Sequence, residues 1–347
     1  MPRRLATAWV AGVLLFPATA AGQPDPPPDP PTAAAAPDPC ALPPSLRFTL
    51  EALGASSGVP DGLGSVWYPT LPVRGQPARM GLVGYEGGLS APVYQTDADG
   101  LFVNGAVRGL EVRTTAHMPG IRGRFPPALW DVQFGGAYVR QLGTGWSWGV
   151  CANAGSASDQ PFHGVAEDTA SGLAFLRVPR GEQMAWLFYV VSTTNGQFGH
   201  NIPIPGVAYE FQGDRLSGVV GFPFVTITYR PLPPVECEFY YAALTDLSAR
   251  VTYHPLDPAR VFAGFEWANQ SWLPVGRRDR WDQLFWYEKR VEGGLGWAAG
   301  SRAELRVSGG YAFDRYFVVN NGFSVTGRNR LDLATGPFAT ARLELRY

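Results

Sequence analysis

The residues with the best claim to chemistry lie in one stretch, where Ser156, Ser158, Asp159 and His163 precede Glu167 and Asp168. A serine, a histidine and a carboxylate are the parts of a hydrolytic triad, and barrel enzymes carry such groups at the rim. Triads are defined by geometry rather than by closeness in sequence. Loops rich in Ser, Asp and Gly reproduce the composition without the activity, so the expectation is no catalytic residue and no enzyme. The four histidines, His117, His163, His200 and His254, form no HxxxH spacing, and Cys40, Cys151 and Cys237 form no CxxC. Neither a metal ligand set nor a disulfide framework is expected, and no cofactor.

A second group of charged residues follows a period of two. Arg302, Glu304 and Arg306 alternate with Ala303, Leu305 and Val307, and Arg342, Glu344 and Arg346 alternate with Ala341, Leu343, Leu345 and Tyr347. Glu236, Glu238, Arg250, Arg260, Glu266 and Glu292 occupy the same polar register in neighbouring segments. Period two marks strands whose faces meet different surroundings. Charges on one face need water or partners. They would either form a cross-strand ladder that stiffens a closed interior or line an aqueous pore, and the pore is preferred. Cys151 and Cys237 fall in opposite registers, which argues against a disulfide between them.

The elements that must hold this wall are short strands. Hydrophobic residues are 46% of 347 and charged residues only 16%, below the roughly 25% of an average soluble protein. Tyr, Trp, Phe and Gly are abundant, which favours strands and turns. The net charge of -1 gives no basic face, so no nucleic-acid partner is expected. Of the basic side chains only Lys289 is a lysine.

Residues 1 to 22 read as a signal peptide: Arg3 and Arg4, an apolar core from Leu5 to Phe16, then Ala18-Thr19-Ala20, with cleavage between Ala20 and Gln23. No later run is long and apolar enough for a membrane helix. Residues 23 to 44 are Pro-rich and low in complexity, a disordered periplasmic spacer that could reach the cell wall. Cys40 follows Pro37-Asp38-Pro39 rather than a lipobox-like run.

The remaining residues, 45 to 347, carry alternating segments from Leu46 onward. They predict an all-β, closed antiparallel transmembrane β-barrel of 12 to 16 strands, with an apolar face toward lipid and a polar lumen. Three features favour a membrane barrel over a soluble one. These are the leader, the aromatics at proposed strand ends (Trp67, Tyr68, Trp146, Trp148, Trp267, Trp272 and Trp281), and an alternating last strand whose Leu343, Leu345 and Tyr347 close the barrel. Short turns are expected near residues 143 to 145, 180 to 182, 213 to 214, 231 to 234, 255 to 258 and 299 to 301. Longer outer loops are expected at 55 to 78, 117 to 129, 156 to 170, 194 to 205, 270 to 282 and 317 to 335, with tight outer turns at Phe222-Pro223 and Thr245-Asp246. The expected location is the outer membrane of a double-membraned bacterium, and the expected partners are membrane lipid and the barrel-assembly machinery.

The segments VAYEFQGDRLSGVVGFPFVTITYRPL (207 to 232), ARVTYHPLDPARVFAGFEW (249 to 267) and RVEGGLGWAAGSRAELRVSGGYAFDRYF (290 to 317) resemble a family of bacterial outer-membrane β-barrels known only as a domain of unknown function. Gly-Phe-Pro-Phe at 221 to 224, Tyr-x-Pro at 229 to 231 and 253 to 255, and Gly-Tyr-Ala-Phe-Asp at 310 to 314 carry the resemblance. It implies an envelope barrel and transfers no site residue. One departure is Arg342, five residues before Tyr347, where assembly signals often place Gly. The functional expectation is a passive channel or transporter for small solutes, including apolar ones. The alternatives are a structural or interaction barrel of the envelope, with residues 269 to 281 as its contact surface, and least favoured a rim hydrolase.

Overall fold

A chain of alternating apolar and polar residues can cross a lipid bilayer as strands only if every edge is paired, because an open edge leaves backbone groups without partners at several kcal/mol each. A computed structural model meets that condition. It describes residues 61–122, 124–196, 201–242, 246–322 and 329–345. The strands are β1 (Gly62–Pro72), β2 (Arg79–Gln95), β3 (Asp99–Thr114), β4 (Ala128–Gln141), β5 (Ser147–Ser158), β6 (Asp168–Pro179), β7 (Met184–Thr193), β8 (Ile204–Gln212), β9 (Leu216–Phe222), β10 (Phe224–Leu232), β11 (Val235–Ala242), β12 (Asp246–Leu256), β13 (Ala259–Trp272), β14 (Gln283–Ala299), β15 (Ala303–Asn320), β16 (Arg330–Asp332) and β17 (Gly336–Leu345).

Each long strand pairs antiparallel with its sequence neighbours, and β1 pairs with both β2 and β17, so sixteen strands close into a barrel. The three-residue β16 is a side pairing on β15. At the seam Gly62 lies opposite Glu344. Its φ is +138°, and a Cβ there would stand 2.0 Å from the Leu343 carbonyl oxygen, so the closing register requires glycine. The Leu345 amide donates to the Asp61 carbonyl at 2.8 Å, which completes the ring of backbone pairs.

The alternation sorts cleanly on the last strands. On β17 Ala339, Ala341, Leu343 and Leu345 are exposed while Phe338, Thr340, Arg342 and Glu344 are turned inward. On β15 Leu305, Val307 and Tyr311 face out, and on β14 Val291, Leu295 and Trp297 do. Tyr94, Trp186, Tyr229, Tyr253 and Trp297 stand exposed near the short turns, an aromatic girdle of the kind that sits at a bilayer surface. The exterior is the apolar face of a membrane β-barrel.

The short turns fall where sequence chemistry expects them, with one more at residues 96 to 98. The stretch 55 to 78, read as an outer loop, is different. Strand β1 runs through it, because Leu63, Ser65 and Trp67 alternate with Gly62, Gly64 and Val66 against β2. Glycine and serine had hidden that period. Strands β5, β13 and β15 also continue into stretches assigned to outer loops. Two aromatics read as interfacial rings are inward instead: Tyr68 is 3% exposed and Trp272 only 1%. Position near a strand end does not reveal which face a ring occupies. Residues 1 to 60, and with them the leader, the spacer, Cys40 and any strand beginning at Leu46, lie outside the described residues, as do His200, Arg346 and Tyr347.

At the long-loop end one interior core joins Met80, Leu82, Leu129, Trp272, Trp286 and Phe317 with loop residues Met118, Ile121 and Phe125. A second apolar cluster lines the inner wall from β4 to β10 around Val139, Phe175, Leu187, Tyr189 and Val219. Large inward side chains lie flat over glycines on neighbouring strands: a Cβ at Gly149 would meet the Phe175 ring at 2.5 Å, and one at Gly206 the Tyr189 ring at 2.2 Å.

If the exterior is lipid-facing, Val307→Arg, near the middle of the apolar belt, should destabilise the folded barrel by about 2–4 kcal/mol in lipid vesicles. Urea unfolding followed by Trp fluorescence, with loss of heat-modifiable gel mobility, measures it.

Candidate functional site: the charged lumen wall

The inner faces of β12 to β15, β17, β1 and β2 together carry charged residues and glycines, as in Glu292, Gly294 and Gly296. Glycine leaves room for a long ionised side chain to lie across the wall. A Cβ at Gly296 would stand 2.7 Å from Glu304 Oε1, and one at Gly64 2.6 Å from Glu86 Oε1. Register then brings opposite charges together. Arg260 Nη1 lies 2.6 Å from Glu304 Oε2, Arg306 Nε 2.7 Å from Glu304 Oε1, and Arg306 Nη1 2.9 Å from Glu344 Oε1. Arg342 bridges 4.0 Å to Glu344 and pairs with Glu86 across the seam. A parallel row joins Arg250 to Glu292 at 3.4 Å, and Ser308 Oγ donates to Glu292 at 2.9 Å.

Deeper toward the long-loop end Arg290 pairs with Glu266 at 2.6 Å and with Glu288 at 3.7 Å. Glu288 also faces Arg315 at 3.5 Å and accepts a hydrogen bond from the Tyr68 hydroxyl. Arg315 is 2% exposed and its guanidinium lies over the Tyr68 ring, 4.3 Å from the centroid. Tyr68, Glu266, Glu288 and Arg290 line a cavity of about 730 Å³ whose wall also includes Glu86, Glu238, Arg250 and Arg342.

The residues expected from the sequence divide as follows. Glu304, Arg306, Arg342, Glu344, Arg250, Arg260, Glu266 and Glu292 share the ladder just described. Glu238 lies opposite Arg250. Glu236 pairs with Arg230 at 2.6 Å, close to the short turns. Arg302 is an exposed turn residue rather than part of the wall, because β15 begins one residue later. The reading missed Glu86, Glu288, Arg290, Arg315 and the pair Arg177–Glu210, at 2.9 Å with Glu210 1% exposed. Glu288 and Arg290 share the parity of Glu292 and could have been found. Arg315 could not: a register shift between Tyr287 and Lys289 reverses the parity beyond Asp314.

The serines and acids of the 156 to 168 stretch act as fasteners. Ser156 Oγ donates to the Glu167 carbonyl and accepts the Phe162 amide, and Asp159 accepts the Val275 amide at 2.8 Å. Glu167 pairs with Arg277 at 2.7 Å, both nearly fully buried, and Arg277 also donates to the carbonyls of Ala166 and Pro274. His163 is exposed, as is His117. Cys151 and Cys237 are both free thiols, Cys151 within the inner apolar cluster. Among the described residues no group of His, Cys, Asp and Glu has the geometry of a metal site.

No family model matches the chain, and no curated protein does. Solved structures to which it is similar include the β domain of the Bordetella autotransporter BrkA (10% identity, 82% of this chain and 99% of that one, TM-score 0.30). An outer membrane channel from Pseudomonas putida F1 matches at 12% identity over 90% of this chain and 100% of the other, TM-score 0.32. Pseudomonas aeruginosa OccK5 (OpdH) matches at 10% identity over 82% and 98%, TM-score 0.27.

Glu304 holds two arginines at once, so Glu304→Gln leaves both short of a counter-charge. Removing one partner of a buried pair costs on the order of 3 kcal/mol, measurable as a lowered melting temperature in detergent, whereas the more exposed Glu344→Gln should lose less. Arg277→Ala should raise deuterium uptake in 159–167 and 273–282 while leaving the strands protected.

Proposed function

We propose that this chain is an outer-membrane channel that passes small solutes passively. The observation that carries the reading is the cavity of about 730 Å³ walled by arginines and glutamates of both signs. Ionised groups in such numbers are costly in a dry interior and natural in a water-filled one. In this reading residues 1 to 22 export the chain, the barrel-assembly machinery inserts it, the short turns face the periplasm, and residues 23 to 44 form a periplasmic spacer toward the cell wall. The chemistry of the wall is ion pairing, which requires no catalytic residue and no cofactor.

A second reading, a structural or interaction barrel, is favoured by the long-loop end. There the loops after β3, β5 and β13 are tied together through Arg277, Glu167 and Asp159, and Ile121 bridges to Arg277. A mouth closed in this way suits a surface that is bound rather than passed through. Deletion of 24 to 44 would then leave folding intact and weaken envelope cohesion.

Purified full-length protein in a planar bilayer separates the two. The channel reading expects discrete conductance steps; silence over repeated insertions of heat-modifiable, folded protein sinks it. Glu86→Gln removes the carboxylate that Arg342 pairs with most closely, so the reversal potential in a KCl gradient should move toward chloride.

A further inference from the structure

Beside the charged cavity lies a smaller chamber of about 330 Å³, with a different chemistry. Its wall is the inner face of β3 to β7 on one side and the outer end of β13 on the other. Five carboxamides line it, Gln133, Asn153, Asn195, Asn269 and Gln270, together with hydroxyls from Thr169, Ser171, Thr193 and Ser271. The charged members are one arginine and one aspartate, Arg108 and Asp131, which lie opposite each other on adjacent strands. The chamber therefore carries dense hydrogen-bonding capacity and no net charge.

Two of the carboxamides, Gln133 and Asn195, are held in place before any solute arrives. Gln133 Nε2 donates to Asp131 at 2.7 Å and to Thr169 at 2.8 Å. Asn195 Nδ2 donates to the Ser271 carbonyl at 3.0 Å, and Gln283 Nε2 donates to Asn195 Oδ1 at 2.7 Å. The Asn195 bonds fasten the segment just after β7 to β13 and to the start of β14, which sets the chamber's width. Within the wall of the chamber, Asn153 Oδ1 and Trp272 Nε1 are buried without a hydrogen-bond partner among the described residues.

We infer that this chamber is a binding site for a neutral, polyhydroxylated solute of monosaccharide to disaccharide size, met on the way through the lumen. The inference rests on the channel reading and names its substrate class. A carboxamide presents a donor and an acceptor side by side, which matches the paired hydroxyls of a sugar ring, each able to give and to take one hydrogen bond. An anion would need an excess of cationic groups and a cation an excess of carboxylates; the chamber has one of each. An apolar solute would strand five amides without water. Its volume lies at the lower end of ligand cavities, which run about 300–1,000 Å³.

The test uses the full-length protein and two probes, glucose and maltose. In planar bilayers either sugar should lower the ion current saturably, beyond the effect of polyethylene glycol at equal viscosity. Isothermal titration of the same sugars into detergent-purified protein should give a saturable heat. Asn153→Ala and Gln270→Ala, each checked for heat-modifiable mobility, should weaken block and heat about tenfold, the scale of one lost hydrogen bond. Conductance without sugar block and without heat overturns the inference and leaves the channel standing. Saturable heat in a protein that never conducts overturns the channel and keeps the site. Block that both variants leave unchanged overturns the chamber's assignment.

Discussion

Everything in this molecule depends on pairing the backbone in a medium that offers no hydrogen bonds. Strands in hydrocarbon must find both neighbours, so the sheet has to return on itself, and the meeting of β1 with β17 is the step that permits the other fifteen contacts to exist in a membrane. The residues at that seam reflect its demands. Gly62 adopts a backbone angle closed to other residues, directly against the Leu343 carbonyl. Once the ring is closed, period two follows without further instruction: each strand owes alternate side chains to lipid and to the interior.

Closure creates a second problem. A ring of sixteen strands is wide, and its interior must be filled, wetted or both. Here the solution changes around the circumference. From β4 to β10 the inner wall is apolar, with Phe175 and Tyr189 lying flat over neighbouring glycines and Leu187 packed among them. From β12 through β17 to β2 it is ionic, and the same device recurs with Glu304 over Gly296 and Glu86 over Gly64. Glycine on the inner face is thus what lets long side chains cover the wall without projecting across the lumen. At the long-loop end the aromatic core and the Arg277 clasp occupy the space instead.

How much of this could be read in advance follows from the range of each interaction. The faces of β15 and β17 and most of the short turns were legible, because alternation and turn chemistry are local. Strand β1 was not, since Gly62, Gly64 and Ser65 carry almost no hydrophobic signal, and only pairing to β2 and β17 makes that segment a strand. Tyr68 and Trp272 were placed at the membrane surface on composition, and parity within a correctly bounded strand would have turned both inward. Arg302 failed by one residue of strand boundary. The Arg277–Glu167 pair spans 110 positions and the amide chamber draws on six strands. No periodicity announces contacts of that kind, because they arise from how loops and strand ends meet across the lumen.

The two chambers are not independent. Arg108, Asn269 and Gln270 line both, so the amide chamber opens onto the charged one. In the ionic chamber nearly every described cation has a carboxylate within reach, and the resulting fields are short: beyond about 8 Å at physiological ionic strength they are screened. A balanced ladder of this kind keeps the wall wet and rigid while discriminating weakly between ions. Selection, in the channel reading, would then fall to the place where contact is close and charge is absent. That place is the amide chamber, whose width is set by the bonds from Asn195 to Ser271 and Gln283. A channel built in this order would hold its walls apart with ion pairs and choose its solute with neutral hydrogen bonds.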